Sequence, residues 1–232
     1  MNFDRTFFGA HEFNRQRLNE RCRRIIDPHL AFIQDKEILD LGAHHGVWSW
    51  MALKVGARKV TAIEGRAELL NHGHHMFDEF QANSYRTIVG DVFLQMQELI
   101  NAGELFDTVF CLGLFYHILD HHRLLRQMAD LARSAILLDT GLLFTDEWLI
   151  RLEFEDTSAI ANAIPNQAGH HKRLVGFPSQ GALAAMVADI GWKVHEIPWL
   201  SEEVDYPDAV KDYLVGQPDL KKRFTYLLLP GA

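Results

Sequence analysis

Three carboxylates stand where short apolar runs stop. Asp40 lies within Ile38-Leu39-Asp40-Leu41-Gly42, Glu64 follows Val60-Thr61-Ala62-Ile63, and Asp91 follows Ile88-Val89-Gly90. A carboxylate at a strand exit can accept hydrogen bonds from a ligand lying across the strand ends, or it can cap the next helix. Glu64 comes 24 residues after Asp40. An acid about 20 residues past a glycine turn is placed to accept both hydroxyls of a ribose. Gly42 permits a sharp turn, and Gly46 lets the following helix start close to whatever sits there. Beyond Leu112-Gly113 come Tyr116 and His117. Either could orient or deprotonate an acceptor, and His is the better base by residue type. The alternative for both is a hydrogen-bonded brace of their loop.

The glycine turn narrows the ligand. A dinucleotide fingerprint needs glycine at 42, 44 and 47, where this chain has Gly42, His44 and Val47. A Walker A loop needs a following Gly-Lys-Ser/Thr, which is absent. His44 and His45 follow the turn directly. His45 is read as a ligand contact, with helix capping as the alternative.

These groups need a scaffold, and the chain supplies an alternating one. Strands are expected at 36–41, 59–64, 85–89, 106–112 and 134–139, with helices at about 46–55, 66–80, 92–101 and 119–132. Such alternation means a parallel sheet with helices on both faces, and right-handed crossovers bring the strand C-termini to one edge. Residues 11–34 read as a helical cap (1–35) interrupted at Pro28, ahead of one domain (36–232). Residues 141–178 have no clear period and read as an insertion over the ligand edge. A helix at 179–190 and strands at 192–197 and 224–229 close the chain.

Composition sets further bounds. The 232 residues carry a net charge of −8 and are 48% hydrophobic, enough for one well-filled core. No run approaches the roughly 20 apolar residues of a membrane span. The first residues lack a signal-peptide pattern, so the expected location is cytoplasmic. Cys111 reads as a buried thiol rather than half of a disulfide with Cys22. Metal-ligand spacing is not found, so no metal is expected. Arg21, Arg23 and Arg24 read as a solvated helix face, and His121 and His122 as exposed. Phe3, Phe7 and Phe8 read as packing on the domain, and His72, His74 and His75 as surface. His170, His171, Lys172 and Arg173 read as a solvated loop that could otherwise bind an anion.

The spacing Asp40-x-Gly42-x-x-x-Gly46 resembles the first motif of class I S-adenosylmethionine (SAM) methyltransferases, with His44 where the family has a further glycine. Leu112-Gly113-Leu114-Phe115-Tyr116-His117-Ile118-Leu119-Asp120 resembles the tRNA wobble-uridine methyltransferase-like branch, which includes many small-molecule enzymes. The resemblance covers about residues 36–197. It implies an α/β, Rossmann-like, seven-stranded mostly parallel sheet with an antiparallel last strand. It implies SAM as cofactor, bordered by Asp40, Gly42, His45, Gly46, Glu64, Asp91, Val92, Leu112 and Gly113. In such enzymes an Asp at the position of Asp91 accepts from the adenine amino group, Val92 covers the ring, and Leu112-Gly113 border the sulfonium. His117 and Tyr116 become the candidate catalytic residues. Trp48 and Phe115 could border the cationic sulfur but read as core. The acidic balance favours a small-molecule acceptor, so nucleic acid is not the expected partner. Two alternatives stand beside this reading: a tRNA wobble-uridine enzyme using SAM or a carboxylated derivative, and a non-catalytic SAM-binding module.

Overall fold

In a computed structural model, residues 12–81, 83–160, 162–165, 170–199, 206–216 and 221–231 are described. Phe3, Phe7 and Phe8, and the side chains of His72, His74 and His75, lie outside the described residues.

Seven strands form one sheet in the order β3-β2-β1-β4-β5-β9-β8. They are β1 (Glu37–Leu41), β2 (Lys59–Glu64), β3 (Tyr85–Val89), β4 (Phe106–Leu112), β5 (Ala132–Leu143), β8 (Trp192–Glu196) and β9 (Lys221–Pro230). The first five pair in parallel. β9 runs antiparallel between β5 and β8. Ile38, Leu39, Val60, Val109 and Phe110 are fully buried. A sheet covered on both faces demands such continuous apolar strands. The helices supply the cover: α2 (Val47–Lys54), α3 (Ala67–Gly73), α4 (Val92–Asn101), α5 (His121–Leu131) and α6 (Gln180–Asp189). Strand order reverses between β1 and β4, which opens a crevice at their C-terminal ends.

At the N-terminus α1 (Glu12–Arg21) passes through a π-turn, Cys22–Ile26, into a 3-10 segment, Asp27–Phe32, with Pro28 in its first turn. Cys22, Ile25 and Ile26 are fully buried and share one apolar cluster with Met51, Val60 and Phe110. The helical run is thus anchored in the core of the sheet. Burial pushes the thiols of Cys22 and Cys111 up to about 12, which keeps both inert.

The stretch expected to be irregular holds regular structure. β5 continues to Leu143, and β6 (Ile150–Asp156) pairs antiparallel with β7 (Lys172–Pro178) as a separate two-stranded ribbon. Along β6 the apolar Ile150, Leu152 and Phe154 are exposed, while Arg151, Glu153 and Glu155 are partly buried. The ribbon turns its polar face to the domain. A last short helix, α7 (Lys211–Leu214), packs on β9. Among the described residues no helix is long and apolar enough to cross a membrane.

Candidate functional site

A cavity of about 470 Å³ opens at the C-terminal ends of the parallel strands. Its floor is built by Gly42–His44 after β1, Glu64–Arg66 after β2, Gly90–Phe93 after β3 and Leu112–Leu114 after β4. The loop after β1 is pinned to β2, because the N–H groups of Gly42 and Ala43 donate to the Ile63 carbonyl at 2.9 and 3.1 Å. Gly42 has φ +65°, and His44 follows in the same left-handed region at φ +55°. His44 therefore adopts a backbone shape that glycine takes more readily. It can do so because its N–H donates to Glu64 Oε2 at 2.9 Å. Burial, aided by the neighbouring His45 and Arg66 charges, lowers the His44 imidazole to about 4, so it is neutral at pH 7.

Glu64 is 8% exposed, and its other oxygen accepts from the Arg66 N–H at 3.0 Å. Each carboxylate oxygen has two lone pairs, so both keep capacity for hydroxyl donors in the cavity. Asp91 both caps α4 and lines the cavity. Its Oδ1 accepts from Phe93 N–H at 3.0 Å and Leu94 N–H at 3.3 Å. Val92, Leu112 and Gly113 also line the wall. Two acids on adjacent strand ends, over an apolar and glycine floor, make an acceptor set that suits a ribose diol and an exocyclic amine.

Three of the expected contacts are not brought to this wall. Asp40 is 1% exposed beneath the loop and accepts from Ser49 Oγ at 2.7 Å. Burial drives its carboxyl up to about 7, against the pull of the Ser49 hydrogen bonds. Asp40 thus braces the start of α2. Gly46 begins α2 at φ +78°, where a Cβ would stand 2.9 Å from Phe77 Cζ, so packing dictates the glycine. His45 packs edge-on against His44, with ring centroids 4.2 Å apart, and it is His44 that lines the cavity.

A folded carboxyl raised from about 4 to about 7 contributes stability that is complete below pH 4 and lost as pH rises through 7. Asp40→Asn, whose amide can still accept from Ser49, removes that loss. We expect the variant to be more stable than wild type above pH 7 by up to a few kcal/mol, with the gap widening from pH 6 to 8 in thermal melts. A variant less stable at pH 8 would show that the ionised carboxylate is needed.

The far wall was not legible as a site. Arg21, read as solvated, is 8% exposed. Its guanidinium lies 4.6 Å over Trp48 and donates to Asp139 Oδ1 at 3.0 Å and the Leu112 carbonyl at 3.2 Å. Arg223 donates from Nε to the same Oδ1 at 2.6 Å. Asp139 Oδ2 accepts from the hydroxyls of Tyr213 at 2.7 Å and Thr225 at 2.9 Å. Arg17 pairs bidentately with Asp212 at 2.7 and 2.8 Å. Arg17, Arg21 and Arg223 all face the cavity. Trp48 is buried and also lines it, whereas Phe115 is fully buried. His121, read as exposed, is 2% exposed and bonded to the Gly176 carbonyl at 3.0 Å.

The roof comes from the β6–β7 connection. Ile160, Asn162, Ala163 and Ile164 line the cavity, and Arg66 donates to the carbonyls of Thr157, Ile160, Asn162 and Ala163. Within the expected solvated loop, His170, His171 and Lys172 are exposed. Arg173 instead lines the cavity and donates to Ile164 O at 2.9 Å. Tyr116 and His117 project from a 3-10 turn, Phe115–His117, on the same wall. The Tyr116 hydroxyl accepts from Arg223 Nη1 at 3.3 Å, and His117 Nδ1 lies 2.8 Å from Glu155 Oε2.

Residues 13–197 match the model of a family described as methyltransferase domain. The tRNA U34 carboxymethyltransferase of Alteromonas mediterranea is 29% identical over 140 residues, covering 59% of this chain and 42% of that protein. That of Vibrio campbellii is 28% identical over 200 residues, covering 81% of this chain and 54% of the relative. The chain spans about half the length of these curated relatives. Among solved structures, the N-terminal domain of EvdMO1 with S-adenosylhomocysteine bound superimposes with TM-score 0.62 at 17% identity, over 99% of this chain and 85% of that one.

Proposed function

The chain belongs to the methyltransferase-domain family, and from that premise we propose that it moves a methyl group from SAM to a small-molecule acceptor. The observation that carries this reading is that Glu64, Asp91, Tyr116 and His117 line one cavity. In this reading Glu64 accepts from the ribose hydroxyls and Asp91 from the adenine amine through its remaining oxygen. Val92 covers the ring, and Gly42, Leu112 and Gly113 border the methionine end. The bound donor supplies an electrophilic methyl group on a sulfonium. The chain's part is alignment of an acceptor along the S–CH3 axis, where proximity and orientation supply most of the rate. Tyr116 and His117 flank that approach. The roof formed by Ile160, Asn162, Ala163, Ile164 and Arg173 favours a small, enclosed acceptor over an open groove.

Transfer to tRNA U34 is the second reading. It is favoured by the activity that the curated relatives' names state and by the arginine-rich far wall. Incubation with methyl-labelled SAM, and in parallel with its carboxylated derivative labelled on the same carbon, separates the two readings. We expect label in a low-molecular-weight metabolite extract and none above background in bulk tRNA. Label confined to tRNA would overturn the small-molecule reading.

A further inference from the structure

The ribbon whose connection roofs the cavity also contacts His117, which lines it. Glu155 sits on β6, on the face turned to the domain, 38 residues from His117. Its Oε2 lies 2.8 Å from His117 Nδ1 and also accepts from the Ala163 N–H at 2.9 Å. The side chains of His117 and Glu155 are 12% and 18% exposed, so the pair is largely withdrawn from water. Burial works to raise the Glu155 carboxyl, but the His117 and Ala163 hydrogen bonds outweigh it and hold it below the usual range. It is therefore an anion at neutral pH and can only accept.

We propose that Glu155 is a positioning residue for methyl transfer: it holds His117 with the proton on Nδ1, leaving Nε2 as a bare nitrogen that takes the acceptor's proton. The proposal rests on the reading of the cavity as a SAM and acceptor site. A neutral imidazole carries one proton. Because an ionised Glu155 offers no hydrogen, the shared proton belongs to Nδ1, and the lone pair lies on Nε2. A carboxylate in this position also stabilises the imidazolium that forms. The step balances without another reagent. The acceptor's oxygen lone pair forms the new O–CH3 bond, and the electron pair of the broken S–CH3 bond stays on sulfur. The acceptor proton moves to Nε2 and leaves later to solvent. This selects acceptors that must shed a proton, namely hydroxyl groups, over acceptors with a free lone pair and no proton to lose. Glu155 also explains why the ribbon belongs to the site. The same oxygen binds the Ala163 N–H, so the roof and the base are set by one carboxylate.

Long-range ¹⁵N–¹H correlation on ¹⁵N-histidine-labelled full chain, with S-adenosylhomocysteine present, reads the tautomer of His117. His117→Gln assigns its signal. We expect the Nδ1–H form to dominate in wild type and to become the minor form in Glu155→Ala. In Glu155→Gln, whose carbonyl oxygen can still accept, it should be retained. Anchoring of the roof alone would not move the tautomer. A dominant Nε2–H form in wild type would overturn the proposal even if no variant folds, as would an unchanged tautomer in a folded Glu155→Ala. Calorimetric titration of S-adenosylhomocysteine is the separate control. Failure of wild type to bind it overturns the reading of the cavity, whereas binding with the wrong tautomer overturns only the role of Glu155.

Discussion

Asp139→Ala is expected to lower stability by about 3–5 kcal/mol, on the order of 10 °C in melting temperature for a chain of this size. Asp139 is fully buried within β5 and holds four donors at once: Arg21, Arg223, Tyr213 and Thr225. Removing it leaves two guanidinium groups in a low-dielectric interior with their countercharge gone, which costs far more than an exposed pair would. Burial pushes its carboxyl up, but Arg21 and Arg223, with the two hydroxyls, bring it down to about 2. A folded carboxyl depressed below its unfolded value of about 4 contributes stability that is complete above pH 4 and lost as pH falls through 2. Thermal or denaturant melts should therefore show the gap between wild type and Asp139→Ala shrinking from pH 5 towards pH 2. A gap under 1 kcal/mol at pH 7 would mean that solvent reaches Arg21 and Arg223 and that the far wall is not preformed.

His117→Ala is expected to lower kcat by about 10²- to 10⁴-fold, the range for loss of a positioned general base, while SAM affinity stays unchanged. The split follows from geometry. His117 lies on the rim with Tyr116, on a turn after β4, whereas the carboxylates assigned to the nucleoside lie after β2 and β3. A side chain used only in the chemical step affects kcat and kcat/KM together and leaves ground-state donor binding alone. The measurement is steady-state kinetics beside calorimetric titration of SAM. Equal losses in turnover and in donor affinity would make His117 a structural residue.

The parallel sheet was legible because its central strands are largely apolar runs ended by glycine or a carboxylate, while the edge strand β3 carries exposed Arg86 and Thr87. β2, β3, β4 and α4 fall where pattern places them. Helix caps and ligand acids look alike in sequence, and Asp91 shows why, since it does the first job while standing in position for the second. Asp40 misled for a related reason. It ends a strand beside the glycine turn, but its side chain turns inward to Ser49. Residue type alone also misjudged Arg21 and His121. A basic or polar side chain beside like neighbours reads as solvated until a distant partner appears, here Asp139 and the Gly176 carbonyl. The ribbon did carry a signal. Ile150-Arg151-Leu152-Glu153-Phe154-Glu155 alternates with period two, the pattern of a strand. Its orientation was hidden, because the polar residues face the domain and the apolar ones face outward. The pairing of Glu155 with His117 spans 38 residues and depends on that orientation, so no local pattern could announce it.

In the proposed donor site Glu64 accepts from the ribose of a bound SAM. Calorimetric titration of SAM into wild type and Glu64→Ala tests it directly. We expect one saturable site in wild type and a loss of about 1–3 kcal/mol, roughly 5- to 150-fold in affinity, in the variant. Equal affinity in the two proteins would place the ribose elsewhere and contradict the assignment of this cavity.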